Sequence, residues 1–181
     1  MLECFRTETM TDKGAFTMPA SIRRAAEAIR DMFDAHLWPY EYNEEKHRFS
    51  ARFDLEIAEL KEVEIHIHAR PSSIDSAKCR SIVAYGRIHL TADLNRIAQV
   101  CEYLTRANFG LAIGNFELDY STGVIRYKVA MNCRSGLPGI SALEDLVAIP
   151  VAMFNRYGRG LLAVNDGTMT AEAAAQQADA K

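Results

Sequence analysis

The chain is short of the raw materials from which reaction centres and membrane anchors are built. Its four cysteines, Cys4, Cys79, Cys101 and Cys133, are scattered, with no Cys-x-x-Cys spacing and no histidine placed to complete a zinc site. They read as reduced thiols. No apolar run approaches the ~20 residues that cross a bilayer, and the N-terminus lacks a basic segment followed by an apolar stretch and a small-residue cleavage site. The expectation is a cytoplasmic protein without membrane insertion. Charge of one sign is missing too: 21 Lys and Arg are interleaved with 24 Asp and Glu for a formal net charge of −3. Without a basic stripe there is no counterion release to drive nucleic-acid binding, so no nucleic-acid partner is expected. There is no glycine-rich phosphate loop and no nucleophile with an assignable base, so the chain is expected not to be an enzyme and to carry no cofactor.

What is present is an ordinary globular composition. With 181 residues, 49% apolar and 25% charged, the chain is long enough for one substantial core. Residues 1–18 show no sustained period and read as a flexible leader, residues 19–168 as a single α+β domain, and the Ala- and Gln-rich residues 169–181 as a frayed tail.

Periodicity sets the elements. Ile22, Ala25, Ala26, Ile29, Met32, Phe33 and Leu37 recur at helical spacing, and Pro39 ends that helix. Tyr40 and Tyr42 then alternate with polar residues, Asn43–Lys46 reads as a turn, and Phe49, Ala51, Phe53 and Leu55 continue the alternation, which together predict a hairpin. Val63, Ile65, Ile67 and Ala69 form one face of a half-buried strand that Pro71 stops. Cys79–Leu90 is a fourth strand, with Gly86 marking a bulge or a close contact. Thr91 is the expected N-cap of a second helix striped by Leu94, Ile97, Ala98, Cys101 and Leu104, and Gly110 is the expected left-handed stop. Phe116, Leu118 and Tyr120 pair across Ser121–Gly123 with Ile125, Tyr127, Val129 and Met131, placing Glu117 and Asp119 on the same outer face as Arg126 and Lys128. Ser141 and Glu144 form a capping-box pattern that starts a third helix near Ala142; Pro150 should kink it, and it continues past Gly158 and Gly160 to about Asn165. The order α-β-β-β-β-α-β-β-α defines an α+β fold.

Within that order, Asn108-Phe109-Gly110-Leu111, then Gly114-Asn115-Phe116-Glu117-Leu118-Asp119 and Gly123-Val124-Ile125-Arg126-Tyr127, followed by a helix with Tyr157-Gly158 and Leu161, resembles the YbjN family of bacterial sensory transduction regulators. The likeness spans Ile22 to Gly167 and is best in the second half. It implies a fold like that of type III secretion chaperones, with helices on one face of a strongly bent antiparallel sheet. It also implies homodimers, and it carries over no catalytic residue.

Two groups of residues are candidates for a site. Glu64, His66 and His68 project from one face of a strand, where imidazoles two residues apart share a transition metal if a further ligand approaches. His36, His47 and His89 are the other histidines, and nothing in the sequence places them nearby. The competing reading is the wet face of a half-buried strand. Trp38, Tyr40 and Tyr42, with Phe49 and Phe53, either pack in the core or line a groove for a peptide, small ligand or second subunit. The preferred function is a non-enzymatic, chaperone-like or regulatory protein-interaction module with an unidentified protein or peptide partner. The alternative is a small-ligand or metal-binding sensor.

Overall fold

The computed structural model describes residues 18–75 and 78–180. The leader expected over residues 1–18 lies outside these apart from Met18. In chain order the elements are α1 (Ala20–Ala35), β1 (Glu41–Asn43), β2 (Arg48–Asp54), β3 (Glu62–Pro71), β4 (Cys79–Thr91), a 3-10 turn (Leu94–Arg96), α2 (Ile97–Phe109), β5 (Asn115–Leu118), β6 (Val124–Asn132), α3 (Ile140–Asn165) and α4 (Ala171–Asp179). This is the order anticipated from the sequence, with one helix added at its end. The strands form an open six-stranded sheet, β1-β2-β3-β4-β6-β5, antiparallel throughout.

Alternation decides which face of the sheet is buried. Val63, Ile65 and Ile67 of β3 lie beside Ile88, Gly86 and Ala84 of β4, and Gly86 and Ala84 lie beside Tyr127 and Val129 of β6. All eight are buried, and α1 and α3 pack over these strands. Each large aliphatic side chain removed from water here contributes on the order of 2 kcal/mol before chain entropy is counted. The opposite face carries Glu64, His66, His68, Arg87, Glu117, Arg126 and Lys128. There Glu117 accepts from Arg126 at 2.7 Å and from Lys128 at 3.0 Å, so the charges expected on one face do meet across the hairpin.

The glycines of β4 and α3 are sites of close approach. A β-carbon at Gly86 would stand 2.8 Å from Cβ of Pro150, so the proline inside α3 seats directly over the glycine of β4. Pairing runs unbroken through Gly86, and the irregularity falls between Arg87 and Thr91, so close contact and not a bulge explains this glycine. Gly158 faces Ile57 and Leu60, and Gly160 faces the Tyr103 ring. The helix therefore continues to Asn165 despite both residues, because packing outweighs their propensity cost of ~1 kcal/mol each.

Several local expectations are corrected. Thr91 belongs to β4; the cap is Asp93, whose Oδ1 accepts from Asn95 N at 2.9 Å and opens the 3-10 turn before α2. The buried stripe of α2 is Ile97, Val100, Tyr103, Leu104 and Ala107, while Leu94 and Ala98 are exposed, because the helix starts later than expected. Gly110 keeps a right-handed conformation, and the positive φ falls at Gly114 (77°), where Tyr127 and the Lys128 carbonyl crowd the α-carbon. Helix α3 begins at Ile140 behind Gly139 without a side-chain cap, and Glu144 pairs with His36, the residue that follows α1, instead of closing a capping box. Leu37 does not extend the first stripe; it follows the helix end and is 89% exposed.

The tail, expected to fray, is a docked helix. Ala171, Ala174, Ala175 and Ala178 are buried against α2 and α3, and the Thr170 hydroxyl accepts from Ala173 N at 3.2 Å as its cap. Tyr157 donates to Asp179 at 3.1 Å, and Arg156 donates to the Ala178 carbonyl at 3.1 Å. Alanines at helical spacing give a weak hydrophobic signal, yet their small size lets two backbones approach, which is what docks α4.

Candidate functional site

The Glu64, His66 and His68 cluster lies on the outer face of β3. Its cross-strand neighbours are Arg52, Ser50 and Arg48 of β2 and Arg87, Tyr85 and Val83 of β4. His66 is fully engaged: its Nδ1 is 3.0 Å from Ser50 Oγ and its Nε2 is 3.2 Å from Glu64, which also approaches Arg52 at 3.7 Å. His68 turns away and stacks on Tyr85 at 5.8 Å between ring centroids. Burial lowers the His68 pKa to about 4, assisted by Arg70 and Arg48, and burial also lowers that of His66 against the pull of Glu64. Both rings are thereby held neutral at physiological pH.

The other histidines are engaged away from this cluster. His36 stacks on Trp38 and pairs with Glu144, His47 meets the Tyr42 hydroxyl at 3.4 Å, and His89 approaches Glu62 at 3.7 Å. Among the described residues no three His, Cys, Asp or Glu side chains come together as a metal site.

Trp38, Tyr40 and Tyr42 are held by the way α1 ends. Leu37 adopts a left-handed conformation (φ 54°), Leu37 N donates to Asp34 O at 3.1 Å, and Trp38 N donates to Phe33 O at 3.0 Å. That is the Schellman arrangement, with a leucine where glycine is usual, and it carries the expected apolar contact between Trp38 and Phe33. Pro39 requires an extended Trp38, so the helix must turn at this point.

The three aromatics then diverge. Tyr40 and Tyr42 pack on Phe33 and Phe49, with Phe33–Tyr40 at 5.0 Å and Tyr42–Phe49 at 4.5 Å, and they complete the edge of the core. Trp38 meets Phe53 edge-on at 5.2 Å. Together Trp38 and Phe53 form one wall of an open, mainly apolar groove of about 500 Å³, whose other wall is Val147, Ala148, Val151 and Ala152 of α3. Tyr40 borders a separate shallow depression with Glu41, Ser50 and Arg52. Strand β1 covers only Arg48–Ser50 of β2, so among the described residues Ala51–Asp54 have no strand neighbour on that side.

Sequence reasoning missed a second concavity. Ser21 and Arg24 of α1, Asp75 and Lys78 between β3 and β4, Arg80 of β4, and Arg134–Leu137 after β6 line an open cavity of about 740 Å³. Cys79 and Cys133 lie in its wall, the Cys79 thiol donating to the Ser81 carbonyl at 3.6 Å and the Cys133 thiol to the Met131 carbonyl at 3.7 Å. Burial pushes Cys79 up to about 11 and raises Cys133 as well, so both remain protonated at neutral pH and are poor nucleophiles. The three remaining buried tyrosines are structural: Tyr103 donates to the Tyr157 carbonyl at 2.6 Å, Tyr127 donates to the Ile113 carbonyl at 2.5 Å, and Tyr157 donates to Asp179.

No known protein-family model matches this chain, and no curated protein matches it significantly.

Proposed function

We propose that this chain is a non-enzymatic protein-interaction module that acts as a chaperone-like regulator and works as a homodimer in the cytoplasm. Its partner is an extended, apolar protein segment that adds to the free half of β2 and places side chains between Trp38 and α3. The observation that carries this reading is the juxtaposition of the part of β2, Ala51–Asp54, that pairs with no strand on its outer side with the groove formed by Trp38, Phe53, Val147 and Val151. A strand edge supplies main-chain affinity without sequence preference, while an adjoining apolar groove selects side chains. The resemblance to the YbjN family, and through it to type III secretion chaperones, supports the same class of function and the dimer.

The test is a panel of extended apolar peptides, with hydrogen exchange read along β2. A bound peptide should slow exchange of the amides at 51–54, and Trp38→Ala or Val151→Asp should abolish both binding and protection. Peptides that bind without protecting β2, or equally well to both variants, would overturn the proposal. Sedimentation over a range of concentrations checks the dimer, and a monomer throughout would remove that part.

A further inference from the structure

We propose that the cavity at the N-terminal end of α1 binds a phosphorylated small molecule carrying at least two negative charges. The inference is independent of the partner reading, because the groove beside Trp38 shares no residue with this cavity.

Three arginines line it from three separate elements: Arg24 from α1, Arg80 from β4 and Arg134 from the segment after β6. Their placement is fixed by the backbone. Cys133 N donates to Arg80 O at 2.8 Å, which holds Arg80 beside the segment carrying Arg134, and Arg134 N donates to Asn132 Oδ1 at 2.9 Å, which turns the chain there. Among the described residues no ion pair or side-chain hydrogen bond engages any of the three guanidiniums. Among the described residues of the wall the carboxylate is Asp75, 3.2 Å from Lys78, itself a fourth cation of the lining.

Four cationic side chains around one carboxylate, in a chain whose formal net charge is −3, concentrate positive charge against the overall sign of the protein. Arginines sharing one cavity wall repel one another, and an entering anion relieves that repulsion. The chemistry of the donors specifies the anion. Guanidinium forks match the paired oxygens of phosphate and carboxylate alike, but this many cations exceeds what a single carboxylate neutralises, so a multiply charged phosphate fits better. The Ser72 hydroxyl accepts from Ile74 N at 3.2 Å, leaving its O–H to donate. A cavity of about 740 Å³ falls in the range that holds whole small molecules, and Ile74 and Leu137 offer apolar surface for the remainder of the ligand.

Inorganic pyrophosphate at constant ionic strength is the probe. Calorimetry should show saturable 1:1 binding, weakened at least tenfold by Arg80→Gln and by Arg134→Gln. Both residues are exposed, so neither change should alter the melting temperature, and Trp38→Ala should bind pyrophosphate as the parent does. In the parent protein the Arg80 and Arg134 Nε–H resonances should shift during the titration, a readout that needs no variant. Absence of saturable heat, unchanged affinity in the Arg80→Gln/Arg134→Gln double variant, or acetate binding as tightly as pyrophosphate would each overturn the proposal.

Discussion

Two groups of aromatic residues in the described part of the chain have opposite character. Around α3, Phe116, Phe154, Tyr103, Tyr127 and Tyr157 are sealed, with Phe116 edge-on to Tyr127, Phe154 and Tyr157, and each tyrosine hydroxyl spent on an internal acceptor. At the C-terminal end of α1, Trp38, Tyr40, Tyr42 and Phe53 are only partly buried, and Trp38, Tyr40 and Phe53 border open depressions. The same residue chemistry thus serves two ends. Where a glycine faces the ring and a carbonyl takes the hydroxyl, the aromatic is structural; where one ring edge stays open beside a groove, it is free to meet a partner.

Substitutions separate the two groups. The largest effect belongs to Gly160→Val, because even a β-carbon at this position would lie 2.8 Å from Cζ of the Tyr103 ring, which has nowhere to move. A loss of about 3 kcal/mol is expected, read from denaturant unfolding. Next is Tyr103→Phe, which deletes a buried hydrogen bond and should cost about 1 kcal/mol with no effect on peptide binding. Trp38→Ala should show the reverse pattern, with binding lost while the melting transition remains cooperative. A Tyr103→Phe protein that loses binding would dissolve the distinction between the groups.

The outer sheet face supplies a pH-dependent comparison with the apolar inner face. His68 has its pKa lowered from 6.5 to about 4 chiefly by burial, so the unfolded chain binds a proton that the folded chain refuses. Its contribution is fully present above pH ~6.5 and declines as pH falls from there towards 4. With the ring only partly buried, solvent screening reduces the effect to the order of 1 kcal/mol. His66 adds in the same direction. His68→Gln should flatten the fall in melting temperature over this interval; an unchanged slope would show that His68 does not govern it. The smallest effect is a gain. Leu37→Gly replaces an exposed leucine at φ 54° with the residue suited to that conformation, and should stabilise by about 0.5 kcal/mol while leaving Trp38 in place.

Much of the architecture was legible because alternation and helical spacing are local signals. The strands around Val63–Ile67 and the charged hairpin at Glu117 and Arg126 follow directly from them. The aromatic group at Trp38 was legible as a group, but its division into core and groove depends on α3, more than a hundred residues away. The helix formed by Ala171–Asp179 was hidden because alanine gives little amphipathic contrast. The arginine cavity was hidden more deeply: Arg24, Arg80 and Arg134 carry no motif, and only the pairing of β4 with β6 and the position of α1 bring them together.

Pro150 has an outcome beyond its fit over Gly86. Lacking an amide hydrogen, it removes one bond from the ladder of α3 near its middle and so marks off two parts of the helix. The first is tied to α1 through Glu144 and His36 and carries Val147; the second is clamped to α2 and α4 through Tyr157 and Arg156. Val147 and Ala148 precede the missing bond and Val151 and Ala152 follow it, so the weakened rung lies in the groove wall itself, where local opening moves the surface that faces Trp38.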